Sequence, residues 1–371
     1  MPLLRPILLL PTLVLLAACQ ASGPRGSAGP LAGVVITGVE DDPSLSAASV
    51  AQPCAAAQNL LASATDGQVL GHRLVSLAEE CVKRGPDRPM GQALLGYGLQ
   101  QIGQPREGLQ ALKNLLGFSK AAQQAAQPGS GNARVLGFEA RSYFYAASGR
   151  WKDAATDLDS AIAAQDSLDP LLTGVLLARQ GFYRAMGGDG PGAEKSFEEA
   201  ATRLQASGAL LEVTYQRGLA ALGRSEWATA AATLGEVFDR AGRPYRRSQA
   251  MLLAYFADAM AARAADESIG AARASFDSRL LQLDPPPAMQ PFVELLHGDI
   301  GPEEARGLAR QNPLQNVEAS EAQAYWYIGM YHLLRDDPET GRRAWSEGIG
   351  TRVTTLQDLL LMQAMQRRFG Y

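Results

Sequence analysis

Five times along the chain, a small residue is followed at fixed intervals of twelve, four and three by further core-type residues. Gly96 leads to Gly108, Leu112 and Leu115, and Ser142 to Ala154, Leu158 and Ala161. Gly181 leads to Ala193, Phe197 and Ala200, and Gly218 to Ala230, Leu234 and Val237. Gly329 leads to Gly341, Trp345 and Gly348. Inside the third interval lies Gly187-Gly188-Asp189-Gly190, a turn between two helical stretches rather than a phosphate loop, since no strand precedes it. Two helices folded back across such a turn bring the small residues to their crossing. The backbones then approach to the short end of the ~8–10 Å packing range, and the large residue four positions on plugs the adjoining hole. One match is weak, whereas five in the same register make a repeat. The first four lead residues, at 96, 142, 181 and 218, are spaced by 46, 39 and 37 positions, and the 111 from Gly218 to Gly329 leave room for two degenerate units.

This pattern resembles the tetratricopeptide (TPR) repeat, in looser form than its ideal ~34-residue period. The resemblance implies an all-α fold, a TPR-like α-solenoid of antiparallel helical hairpins. A chain of 371 residues with 46% hydrophobic and 19% charged residues suits a stack of packed hairpins. Its net charge of −4 leaves no electrostatic footprint for nucleic acid, so that class of partner is set aside.

Ahead of the repeats lies an address. Arg5 precedes an apolar run from Ile7 to Ala18, twelve residues, too short for a bilayer span of ~20 and fitting a secretory leader. Leu16-Ala17-Ala18-Cys19 resembles the bacterial lipobox. That resemblance implies cleavage before Cys19, diacylglycerol on its thiol and acylation of its new amine. The alternative is an ordinary leader cut near Ala18. Gln20 rather than Asp follows Cys19, so the expected location is the outer membrane, periplasmic face. Several acyl chains, at ~0.8 kcal/mol per buried CH₂, hold such an anchor stably. The divisions read from the sequence are a leader at 1–18, a flexible Gly/Ser/Ala/Pro tether at 19–47, an N-terminal hairpin at 48–88, a repeat array at 89–284 and a C-terminal unit with a capping helix at 285–371. Within the tether, Gly33–Val39 is a short β-prone run.

In the N-terminal hairpin, helical spacing over Cys54–Ser63 and Gln68–Lys83 breaks at Thr65-Asp66-Gly67. Folding about that turn brings Cys54 and Cys81 together, and an oxidising compartment favours a disulfide over two buried free thiols.

The first helix of each TPR-like pair lines the concave surface. The residue after each lead position is Tyr97, Tyr143, Phe182, Leu219 and Met330; four positions earlier stand Ala93, Glu139, Ala178, Tyr215 and Trp326. The expected partner-binding residues are therefore Tyr97, Glu139, Tyr143, Phe182, Tyr215, Leu219, Trp326 and Met330, a groove for periplasmic proteins or peptides. The competing reading is that they are core. Arg240, Arg243, Arg246 and Arg247 offer either a dock for carboxylates or a solvated loop. Helical signals run over Ser248–Ala265 and Ser268–Leu283 and stop at Pro285-Pro286-Pro287, which removes three donors and forbids helix.

Beyond the prolines come Phe292, Leu296, His297, Gly298 and Ile300, then Tyr325, Tyr327, Gly329, Tyr331 and Leu333. In this order, over roughly residues 135–368, the chain resembles the NlpI family of outer-membrane lipoproteins. The resemblance implies a homodimeric adaptor that brings a C-terminal-processing periplasmic protease together with peptidoglycan hydrolases. The chain departs from that family in its long tether, its extra hairpin before residue 90 and its long gap between Gly218 and Gly329. An alternative in another class is an assembly factor for outer-membrane β-barrels. No HExxH, CxxC, GxSxG or Walker loop is present, and His72, His297 and His332 lie far apart, so no catalytic residue, metal or cofactor is expected.

Overall fold

The computed structural model describes residues 48–62, 71–85, 89–104, 106–114, 130–165, 169–205, 209–312, 317–353 and 357–369. The leader, lipobox and tether, the Thr65–Gly67 turn and Leu115 lie outside the described residues. Among the described residues the regular elements are all α-helices, and the fold is an all-α, TPR-like solenoid. Helices α1 (Ala48–Ala62) and α2 (Gly71–Arg84) make the N-terminal hairpin. α3 (Pro89–Gln101) is followed by α4, residues 106–114, and then α5 (Ser130–Ala147) folds back into α6 (Trp151–Ala163). The pairs α7 (Pro170–Met186) with α8 (Gly190–Leu204), and α9 (Leu210–Gly223) with α10 (Trp227–Arg240), continue the array. Next come α11 (Pro244–Ala264) with α12 (Gly270–Leu280), α13 (Gln290–His297) with α14 (Pro302–Arg310), and α15 (Val317–Leu333) with α16 (Pro338–Gly350). α17 (Gln357–Phe369) ends the described chain.

The repeat spacing works as the sequence suggests. A methyl group placed on Gly96, Gly181 or Gly218 would fall 2.6–2.8 Å from the side chain of Leu112, Phe197 or Leu234, the large residue sixteen positions on. At Gly329 it would strike the Trp345 ring, whose indole N–H donates to the Trp326 carbonyl at 3.1 Å. Each of the seven hairpins from α3 to α16 turns through one residue of left-handed backbone. These are Gly103, Gly149, Gly188, Ser225, Asp266, Gly298 and Asp336. Such a residue ends a helix by returning its N–H groups to the last carbonyls, and Asp tolerates the conformation better than most side chains. Two of the second helices, α8 and α16, start from the same local chemistry: Asp189 and Asp337 accept hydrogen bonds from the backbone N–H groups of Gly192 (3.0 Å) and Thr340 (3.1 Å), with a proline in the first turn.

Cys54 and Cys81 are joined in a disulfide across α1 and α2, with Cα atoms 4.9 Å apart. A small core of the N-terminal hairpin and first repeat meets the main core, which runs from Val135 to Met365. The array curls until its ends meet. The Gly103 turn abuts the Thr351 carbonyl, and His72 Nε2 lies 3.6 Å from a Glu318 carboxylate oxygen.

Candidate binding channel

The first helices α5, α9 and α15 all pack against α17, and the space they enclose around it is the central channel. The eight stripe residues, Tyr97, Glu139, Tyr143, Phe182, Tyr215, Leu219, Trp326 and Met330, are each no more than 1% exposed, and two of them pack on second helices: Phe182 on Trp151 of α6 and Trp326 on Trp345 of α16. Their burial has two sources.

Toward the N-terminal end, a polar cluster closes on itself. Arg179 of α7 forms a salt bridge with Glu139 of α5, both almost fully buried, and lies 5.1 Å over the Tyr143 ring. Burial lifts the Glu139 carboxyl to about 7 despite the pull of Arg179, and raises the Tyr97, Tyr143 and Tyr183 hydroxyls well above the usual phenol range. Arg179 escapes the stripe reading because it lies one position past Ala178. The signal for it is a single charge within the otherwise uncharged stretch Leu171–Tyr183.

Toward the C-terminal end, the channel is filled by α17. Leu359, Leu360, Leu361 and Met362 are four successive residues, each at most 2% exposed, so the helix is walled on every side of its first turns. Its neighbours are α16, α15, α9 and α5. Asp358, in its first turn, is buried close to Arg246, Tyr215 and Tyr327, and burial pushes its carboxyl up to about 7 against the opposing pull of Arg246. Arg246 itself stacks at 3.8 Å on the Tyr215 ring and reaches a Glu212 oxygen at 3.4 Å.

The arginine group thus divides. Arg246 turns inward, Arg240 pairs with Glu236 in solvent, and Arg247 donates to the Phe238 carbonyl at 3.2 Å. The histidines stay apart, each facing carboxylates: Glu318 for His72, Asp299 and Asp277 for His297, Asp337 for His332. Among the described residues no group of acids, histidines and cysteines is placed to hold a metal ion, and no helix is long and apolar enough to cross a membrane. An open cavity of about 320 Å³ lies between α6, α7 and α8. Some of the polar groups of its wall bond one another: Ser196 Oγ donates to Gln180 Oε1 at 2.9 Å, and Gln180 Nε2 to Asp159 at 2.6 Å.

No protein family and no curated protein matches the sequence. Two solved structures are similar to this chain at 15% identity over 84% of it: a human IFIT1 dimer with PPP-AAAA, at a TM-score of 0.41, and a monomeric mutant of IFIT1 with Gppp-AAAA, at 0.40. The matched parts are 65% and 64% of those chains, less than two thirds of either. Both TM-scores lie under 0.5, so the molecules named with those proteins say nothing of this one; the fold rests on the helices and turns described above.

Proposed function

We propose that this chain is a non-enzymatic scaffold, held by acyl groups on Cys19 to the periplasmic face of the outer membrane, that recruits envelope proteins such as proteases or peptidoglycan hydrolases. The observation that carries the reading is a TPR-like array behind a leader ending in Leu16-Ala17-Ala18-Cys19. Helical-repeat arrays present extended surfaces to other molecules. The Cys54–Cys81 bridge supports the same compartment, because such a bond persists where the medium is oxidising.

Two measurements test it. Replacing Cys19 by Ser moves the protein from the membrane to the soluble fraction; continued sedimentation with membranes refutes the lipid anchor. Crosslinked pull-down from an envelope extract captures a discrete protease or hydrolase; capture of no envelope protein refutes the adaptor role.

A further inference from the structure

α17 does more than cover the last hairpin. A cap needs contact only with α15 and α16, yet this helix crosses the channel to hairpins far earlier in the chain. The Gln363 side chain donates to the Ala147 carbonyl at 2.7 Å, across 216 positions of sequence. Leu361 lies against Gly223, and the Arg367 guanidinium sits 5.9 Å over the Trp151 ring. Phe369 packs between Trp227, at 6.3 Å, and Trp345, at 6.2 Å. The helix is therefore held as a separate peptide would be held. It has an acid at its first turn, an apolar centre, one amide reading a backbone carbonyl, and an aromatic-and-basic end gripped by tryptophans.

We infer that the central channel is a helix-binding site, occupied in this chain by its own C-terminal helix, and that a partner protein presents a helix of the same chemistry that exchanges with α17. The inference rests on the scaffold reading and names the kind of segment that a recruited protein supplies. It also makes α17 a gate. A tethered segment competes at an effective concentration of order 1 mM. An identical helix in trans at ~10 µM is thus outcompeted about a hundredfold. The partner must carry that factor in contacts outside the channel, so weak or partial ligands are shut out.

The test uses the full chain with a protease site introduced between α16 and α17, compared uncut and cut, with a fluorescein-labelled synthetic peptide of residues 356–371 at 10 µM. The expected result is negligible anisotropy change with uncut protein, saturating binding with cut protein, and loss of that binding when the peptide carries Leu361→Glu. Two results overturn the inference: cut protein that never exchanges its helix while its circular dichroism stays native, and cut protein that unfolds as a whole. Either makes α17 an integral part of the core. The same samples in the envelope pull-down separate the two readings. Partners captured without peptide exchange leave the scaffold standing and remove the channel as its site; peptide exchange without any captured partner does the reverse.

Discussion

Asp358 keeps its proton to an unusually high pH because its carboxyl is enclosed between α17 and the channel wall, and the attraction of Arg246 only partly offsets the loss of water. The sign of the consequence follows from linkage. In the unfolded chain the group ionises near 4, in the folded chain near 7, so the folded state binds more protons between those values. Asp358 therefore stabilises fully below about pH 4, and that contribution is lost as pH rises to about 7. Urea midpoints at pH 5 and pH 7.5 should fall for the wild type by more than for Asp358→Asn; equal falls would show that the carboxyl does not sense folding. At Gly181 the issue is steric. Gly181→Ala should lower stability by about 1–3 kcal/mol in urea titration, because the new methyl meets the Phe197 ring inside contact distance. Both glycine and ring are readable in the sequence from their spacing. Asp358 is not, since its partner Arg246 lies 112 positions away (358 − 246) and only folding brings them together.

At the scale of elements, the two hairpins between Gly218 and Gly329 show why a spacing rule misses units that exist. Counting seven back from the left-handed turn residues Asp266 and Gly298 gives Ala259 and Pro291 as their lead positions. In α12 the buried residues are Ala272 and Phe276, one position late; in α14 they are Ala305 and Ala309, two positions late. A helix can rotate by one or two residues about its axis and still bury an apolar face, so the turn persists where the register does not. The N-terminal hairpin depends on its disulfide. The loop closed between Cys54 and Cys81 is worth about 3.5 kcal/mol in the chain-entropy model. With Cys54→Ser and Cys81→Ser together, hydrogen exchange should accelerate in α1 and α2 and stay unchanged in α7 and α8, since neither α1 nor α2 packs on α7 or α8.

At the scale of the molecule, α17 changes what kind of object the array is. An open solenoid sums nearest-neighbour interfaces and can melt from its ends. Here one helix touches α5, α9, α15 and α16 at once and ties distant hairpins into a common unit. Leu361→Ala should remove about 2–5 kcal/mol, as truncation of a fully buried leucine does, and should also lower the urea m-value as the array ceases to unfold as one body. An unchanged m-value would show that cooperativity lies in the hairpin interfaces alone.

Local rules carried the helices, turns and crossings, because small-residue spacing, Asp–Pro starts and left-handed turn residues act within about thirty positions. They also brought Cys54 and Cys81 into one hairpin. For the large side chains one position past each lead residue, the sequence left groove and core as alternatives, and the structure buries them. What that stripe faces was not legible, because the answer depends on the summed small rotations between seven hairpins. Those rotations close the array on itself and bring α5, α9 and α15 around one helix. The tertiary structure alone decided that the chain's own last helix lies in it.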